Sequence, residues 1–247
     1  MAETYRTDDW KSYVMSRYEP FSELEPLERE AAVVDGALAA LRDAGILPHA
    51  DYDGDGLTAH RAAVRRLFEM AWTTVTPRVE RLIYAINAIA RPDVMVATGI
   101  FCGYTFMCNA GAAVGPGACY EARDLVGVEV RPGEAERAER NVRRMDGSGA
   151  ARIVAEDALR FVETFEDPID LLYLDAGAAR DNQKAIYYDI VKAAYARMPA
   201  GALVLAHDSV RCVEAVGRYL EFVRDPANFR ASVNVVLDGE GLEVSVK

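Results

Sequence analysis

In this chain of 247 residues, the residues best placed to do chemistry are a glycine turn, a few acids at the ends of apolar runs, and one histidine. The turn lies in Val94-Met-Val-Ala-Thr-Gly99-Ile-Phe-Cys-Gly103-Tyr-Thr. An apolar run enters Gly99, as a buried strand enters a tight turn, and Tyr104 and Thr105 then open a helix. Glycines there let a ligand approach the backbone, and the helix start offers free N–H groups. The spacing is Gly-x-x-x-Gly, whereas a dinucleotide fingerprint needs Gly-x-Gly-x-x-Gly. On the turn alone, a ligand-free strand–helix turn is an equally good reading.

Glu129 closes the run Leu125-Val-Gly-Val-Glu-Val. A carboxylate at the tip of the second strand of such a fold can accept both ribose hydroxyls of a nucleoside. By itself it reads better as a solvated acid. One βαβ unit after the glycine turn, the nucleoside reading wins. His207 adjoins Asp208 at the end of another apolar run, and at neutral pH an imidazole there could act as general base; a structural histidine is the competing reading. His49 and His60 lack such a position. Asp51-Tyr-Asp53-Gly-Asp55-Gly56 matches the first half of a calcium loop, but the twelfth position is Ala62 and the bidentate glutamate is missing. A solvated acidic loop is expected.

The elements that must position these residues follow from periodicity. Residues 1 to about 75 read as helical, with Glu/Leu/Ala runs such as Leu24–Leu41 and breaks at Gly45–Pro48 and Asp51–Gly56. Val79, Leu82, Ile83, Ile86 and Ile89 have helical spacing that Pro92 ends, with Thr76 as N-cap, Pro77 in first position and Glu80 as capping-box partner. Strands are then expected at Val94–Thr98, Leu125–Val130, Ala151–Val154, Ile169–Leu174 and Ala202–Ala206, alternating with helices at Glu134–Met145, Ala158–Phe165, Gln183–Arg197 and Val213–Val223. Such alternation implies an α/β fold with a mostly parallel sheet covered on both faces. Ala231–Leu237 and Leu242–Val246 read as a terminal hairpin, giving seven strands with one antiparallel.

Composition bounds the partners. With 28 Lys+Arg against 39 Asp+Glu the formal charge is −11. That acidity repels phosphate backbones and anionic lipid, so neither nucleic acid nor membrane is an expected partner. The charge-free stretch Val94–Tyr120 is long enough to span a bilayer, but its glycines, Pro116 and Asn109 suit a strand, turn and helix in series. The N-terminus has mixed charge and no apolar core, unlike a secretory signal. The four cysteines have no metal-ligand spacing and read as reduced, buried thiols. A soluble cytoplasmic protein is expected.

Thr98-Gly-Ile-Phe-Cys-Gly-Tyr-Thr resembles the first motif of S-adenosylmethionine-dependent O-methyltransferases of the catechol and caffeoyl-CoA kind. Val128-Glu-Val-Arg-Pro-Gly-Glu-Ala-Glu-Arg-Ala-Glu-Arg-Asn is similar to their second motif, and Ala155-Glu-Asp-Ala-Leu to the adenine-side segment. Leu171-Leu-Tyr-Leu-Asp175-Ala and Pro199-Ala-Gly-Ala-Leu-Val-Leu-Ala-His-Asp208-Ser resemble the fourth and fifth strands. The order is kept over about 79–247. The resemblance implies a Rossmann-like S-adenosylmethionine-binding core there, behind a helical N-terminal cap at 1–78. It places Gly99, Gly103, Tyr104, Thr105 and Asp175 around the cofactor, Glu129 on its ribose, and Asp157 with Ala158 beside the adenine. Trp72 is expected to close over the sulfonium or the acceptor.

The departures bear on catalysis. Metal-dependent members hold magnesium with two aspartates and an asparagine, and deprotonate the acceptor with a lysine. Asp175 and Asp208 stand at the aspartate positions as candidate Mg2+ ligands, Ser209 replaces the asparagine, Ala97 replaces a glutamate before the first glycine, and Ala178 takes the lysine's place. A short insertion could bring Arg180 or Lys184 near, arginine being a poor base because it stays protonated. Asp175, Lys184 and His207 are therefore the catalytic candidates. The expected activity is methyl transfer to an acidic or already ionised oxygen of a small molecule, in secondary metabolism, by a homodimer. A nicotinamide-dependent oxidoreductase and a catalytically degenerate protein of the same fold are the alternatives.

Overall fold

A computed structural model describes residues 3–177 and 183–247. Strand β1 (Glu3–Arg6) is followed by a parallel core of β2 (Val94–Thr98), β3 (Asp124–Glu129), β4 (Ala151–Ala155), β5 (Leu171–Leu174) and β6 (Leu203–His207); β7 (Ala231–Val236) and β8 (Leu242–Val246) complete it. The sheet order is β1-β7-β8-β6-β5-β2-β3-β4. Only β8 runs against its neighbours, pairing antiparallel with both β6 and β7. The fold is the expected Rossmann-like α/β one with an eighth strand added: β1 extends the edge by pairing parallel with β7, Glu3 opposite Val233. β1 is polar and mostly exposed, so no apolar alternation announces it.

Alternate residues of the central strands feed two separate cores. Met95, Ala97, Leu125, Leu171, Tyr173, Leu203 and Leu205 face one side. There they meet α1 (Leu27–Asp43), α3 (Pro77–Ala90), α4 (Tyr104–Ala110) and α5 (Pro132–Met145). Val94, Val96, Val126, Val128, Leu172, Leu174 and Val204 face the other, under α6 (Ala158–Thr164), α7 (Ile186–Ala194) and α8 (Gly217–Val223). Every residue of β2 is buried, as a strand covered on both faces must be. The charge-free stretch resolves into β2, a turn, the short α4 and a 3-10 turn at Gly115–Gly117. No described helix is long and apolar enough to cross a membrane.

Some local expectations change. The acidic Asp51–Gly56 segment starts a helix, α2 (Gly54–Leu67), because the Asp53 carboxylate accepts from the Gly56 N–H at 2.9 Å and caps it. Thr76 does hold the N-cap position of α3, but its hydroxyl donates to Asp238 at 2.6 Å and Glu80 pairs with Arg61 instead. The capping box fails because Glu80 lies one residue beyond the box position. Of the helix expected at 213–223 only Gly217–Val223 forms, since Asp208 leaves β6 at φ 63° into a run of turns. Cys102 and Cys108 are buried thiols, while Cys119 and Cys212 are only half-buried.

The N-terminal segment is fastened by charge. Arg78 on α3 has a fully buried side chain that donates to Glu25 at 2.7 and 2.6 Å and to Asp9 at 2.8 and 3.0 Å. Its guanidinium stacks on Tyr13, 3.7 Å from the ring centre. Such a fork holds two carboxylates of one loop in fixed register, a task a lysine's point charge cannot perform.

Candidate active site

The parallel strands point their C-terminal ends into one cavity of about 1140 Å3. At one end it is lined by Gly99, Tyr104, Thr105, Glu129, Asp157, Ala158 and Trp72. Gly103 is not among the lining residues. Both glycines adopt positive φ, 74° and 89°. A Cβ on Gly99 would lie 2.4 Å from the Ala176 backbone, and one on Gly103 would press on Ala138 at 3.1 Å. Both glycines therefore serve strand and helix packing, and Gly99 also lines the cavity.

Glu129 organises this end. Its Oε2 accepts from the Phe101 N–H at 2.8 Å, and Oε1 accepts from the Arg131 N–H at 3.1 Å and Nε at 2.8 Å. Phe101, itself at φ 51°, is held over the turn by that bond. Trp72 stacks on Phe101 at 4.6 Å, with Arg17 5.6 Å over Trp72 and Arg131 5.2 Å over Phe101. Two cations thereby sandwich two rings, a favourable order for ring quadrupoles. Asp157 caps α6, accepting from the Arg160 N–H at 3.0 Å.

The other end is built on charge. Asp175 follows β5, and His207 and Asp208 lie at the end of β6. Lys184 reaches between the acids: its ammonium donates to the Asp175 carbonyl at 2.8 Å, to Asp175 Oδ1 at 2.5 Å, and meets Asp208 Oδ2 at 2.9 Å. Burial works against that charge, but Asp175 foremost, with Asp208, holds the ammonium far above its ordinary pKa. The buried His207 places Nδ1 3.7 Å from Asp175 and 3.6 Å from Asp208. Burial again opposes protonation, and the two carboxylates overcome it, raising the imidazole to about 9. Asp208 is lowered despite its burial, by His207 and Lys184. Lys184 and His207 are therefore both cations at neutral pH. So charged, neither is ready to accept a proton, and His207, unlike Lys184, does not line the cavity.

Asp175, His207 and Asp208 could bring three ligand atoms within 4.8 Å of one another. These residues do not fit a divalent ion. A hard cation needs several open oxygen donors, yet the Lys184 ammonium already pairs with both carboxylates and stands between them. Ser209, which stands in the asparagine's place, is buried and donates to Asn234 at 2.9 Å. Ala97 is buried within β2. Ala178 and Arg180 lie outside the described residues.

The residue-by-residue reading missed Glu240, Arg211 and Arg17, all of which line the cavity. Glu240 sits in the β7–β8 turn, which antiparallel pairing of β8 on β6 (His207 opposite Leu242) carries to the same sheet end. Arg211 bonds Glu240 at 2.7 Å. Burial, with Asp208 alongside, pushes the Glu240 carboxyl up to about 7. The hairpin was visible in the sequence, and following β8 back against β6 would have found this acid.

Residues 96–209 match the family model described as a methyltransferase domain. A methyltransferase from Podospora anserina, solved bound to SAH, superposes with a TM-score of 0.61 at 15% identity, covering 92% of this chain and 99% of that one. An O-methyltransferase from Streptomyces achromogenes, involved in tomaymycin synthesis and in complex with SAM, gives 0.58 at 16% identity over 78% and 90%. An O-methyltransferase from Bacillus cereus in complex with SAH gives 0.56 at 16% over 80% and 92%. No curated protein sequence matches. The resemblance read from the motifs is upheld, and the fold is the one these enzymes share.

Proposed function

We propose, from the methyltransferase domain matched at residues 96–209, that this chain is an S-adenosylmethionine-dependent enzyme methylating an acidic oxygen of a small molecule. The observation that carries the reading is the single cavity joining Glu129 and Asp157 at one end to Asp175, Asp208 and Glu240 at the other. Its volume, about 1140 Å3, suits a nucleoside cofactor and a small acceptor together. Glu129 is buried yet lines the cavity, and its Oε2 accepts a single N–H bond, leaving acceptor capacity there for a ribose hydroxyl. Bound S-adenosylmethionine supplies an electrophilic methyl on a sulfonium. The chain's own task is to hold an electron-rich oxygen close and in line.

The acceptor follows from the charges. With Lys184 and His207 already protonated, Glu240 is the described lining group whose carboxyl is held near neutrality. A carboxylate of that strength takes a proton from an enol, an acidic phenol or a nitronate precursor, not from a simple alcohol. A place in secondary metabolism is supported by the neighbour involved in tomaymycin synthesis. Val14, Tyr18 and Leu27 expose large apolar surface on the N-terminal segment, which supports a homodimer that a monomer by light scattering would refute. Calorimetry with SAH and with NAD tests the class: heat with SAH alone is expected, and heat with NAD alone would favour an oxidoreductase. Turnover with acidic acceptors distinguishes an enzyme from a degenerate relative.

A further inference from the structure

We infer that the Lys184 ammonium is a built-in replacement for a metal ion, occupying the space between Asp175 and Asp208 and closing the site to divalent cations. Three observations carry this. First, the ammonium donates to the Asp175 carbonyl at 2.8 Å and to Asp175 Oδ1 at 2.5 Å, and it forms an ion pair with Asp208 Oδ2 at 2.9 Å, so both acids are engaged by one cation. Second, one of those partners is the Asp175 main-chain carbonyl, so the lysine is tied to the backbone as well as to mobile carboxylates. Third, the surroundings suit one large organic cation: the Lys184 side chain is only 14% exposed and its ammonium lies 5.4 Å over the Tyr187 ring.

A chemical consequence follows for the acceptor, and this part rests on the methyltransferase reading. A metal offers adjacent open positions and so rewards an acceptor that chelates through two oxygens. An ammonium held between two carboxylates is a single point charge and offers no such pair of positions. The site therefore selects acceptors by one acidic oxygen, and a vicinal diol gains nothing over the matching mono-ol. The positive charge that faces the reacting oxygen is fixed by the chain.

Manganese binding to the full chain tests the lysine directly, without any turnover. Titration of MnCl2 into the wild-type protein, followed by calorimetry and by loss of free Mn2+ signal in electron paramagnetic resonance, should show no stoichiometric site. Lys184→Met frees two carboxylates and should bind Mn2+ at least about tenfold tighter, since a nearby unit charge of like sign is removed. Lys184→Arg keeps the charge and should behave as wild type. Stoichiometric Mn2+ binding by the wild type, abolished by Asp175→Asn, would overturn the inference, as would a folded Lys184→Met that binds no tighter. Should Lys184→Met fail to fold, Lys184→Gln takes its place and the wild-type arm still decides. SAH calorimetry on the same samples reads the cofactor separately. Failure there with the metal result intact would sink the methyltransferase reading and leave the lysine's role standing.

Discussion

The two ends of the cavity are held by different physics. At the Glu129 end, position is set by backbone: positive-φ glycines packed on Ala176 and Ala138, and a carboxylate gripped by main-chain N–H groups. At the Asp208 end, position is set by mutual charge, with Lys184 and His207 balanced against Asp175 and Asp208. Backbone-built sites tolerate side-chain changes one at a time. A charge-built site does not, because each member sets the protonation of the others.

The largest contrast should come from Asp175→Ala. Removing it leaves Lys184 and His207 facing Asp208 alone, and breaking a buried pair this way costs about 3–5 kcal/mol, to be read from urea denaturation. Next comes pH. His207 has its pKa raised from 6.5 to about 9, so the stability it contributes is complete below pH 6.5 and is lost as pH climbs through 9. The fall should reach at most about 3 kcal/mol in wild type and be largely absent in His207→Gln. Glu240→Gln should lower kcat/KM by about a hundredfold, the usual scale for a lost base, remove the limb near pH 7, and leave SAH affinity unchanged.

Glu129→Ala works at the opposite end. SAH binding should weaken by about 1–3 kcal/mol while the acceptor KM stays in place. An unchanged SAH affinity in a folded Glu129→Ala protein would remove this acid from the cofactor site. The smallest expected effect is that of EDTA, which should leave most activity intact. Abolition by EDTA and recovery with magnesium would show that the acids bind a metal after all.

The same contrast explains what the sequence could tell. Gly99, Glu129 and Asp157 were legible because each is fixed by its immediate neighbours, at a strand end or a helix cap. Asp175 and Asp208 were found as strand-end acids. The protonation of Lys184 and His207 was not legible, because it depends on burial and on two carboxylates from other strands. Arg17 joins the site through a bond of its carbonyl to the Thr73 N–H, a contact no local pattern encodes. Helix α2 was hidden by glycines of low helix propensity, which the Asp53 cap offsets. The parallel strands themselves were found to within about two residues because they are apolar runs bounded by turns.

Strand β1 carries a consequence in time. Its partner β7 lies 230 positions further along the chain, and the pairing is parallel. Closing so large a loop is entropically slow, and β7 must first be in place against β8 to offer an edge. The stretch from Glu3 to the Glu25–Arg78 fork therefore joins late in folding. Arg17 belongs to that stretch, so the part of the cavity wall where it stacks on Trp72 is completed only when the stretch arrives.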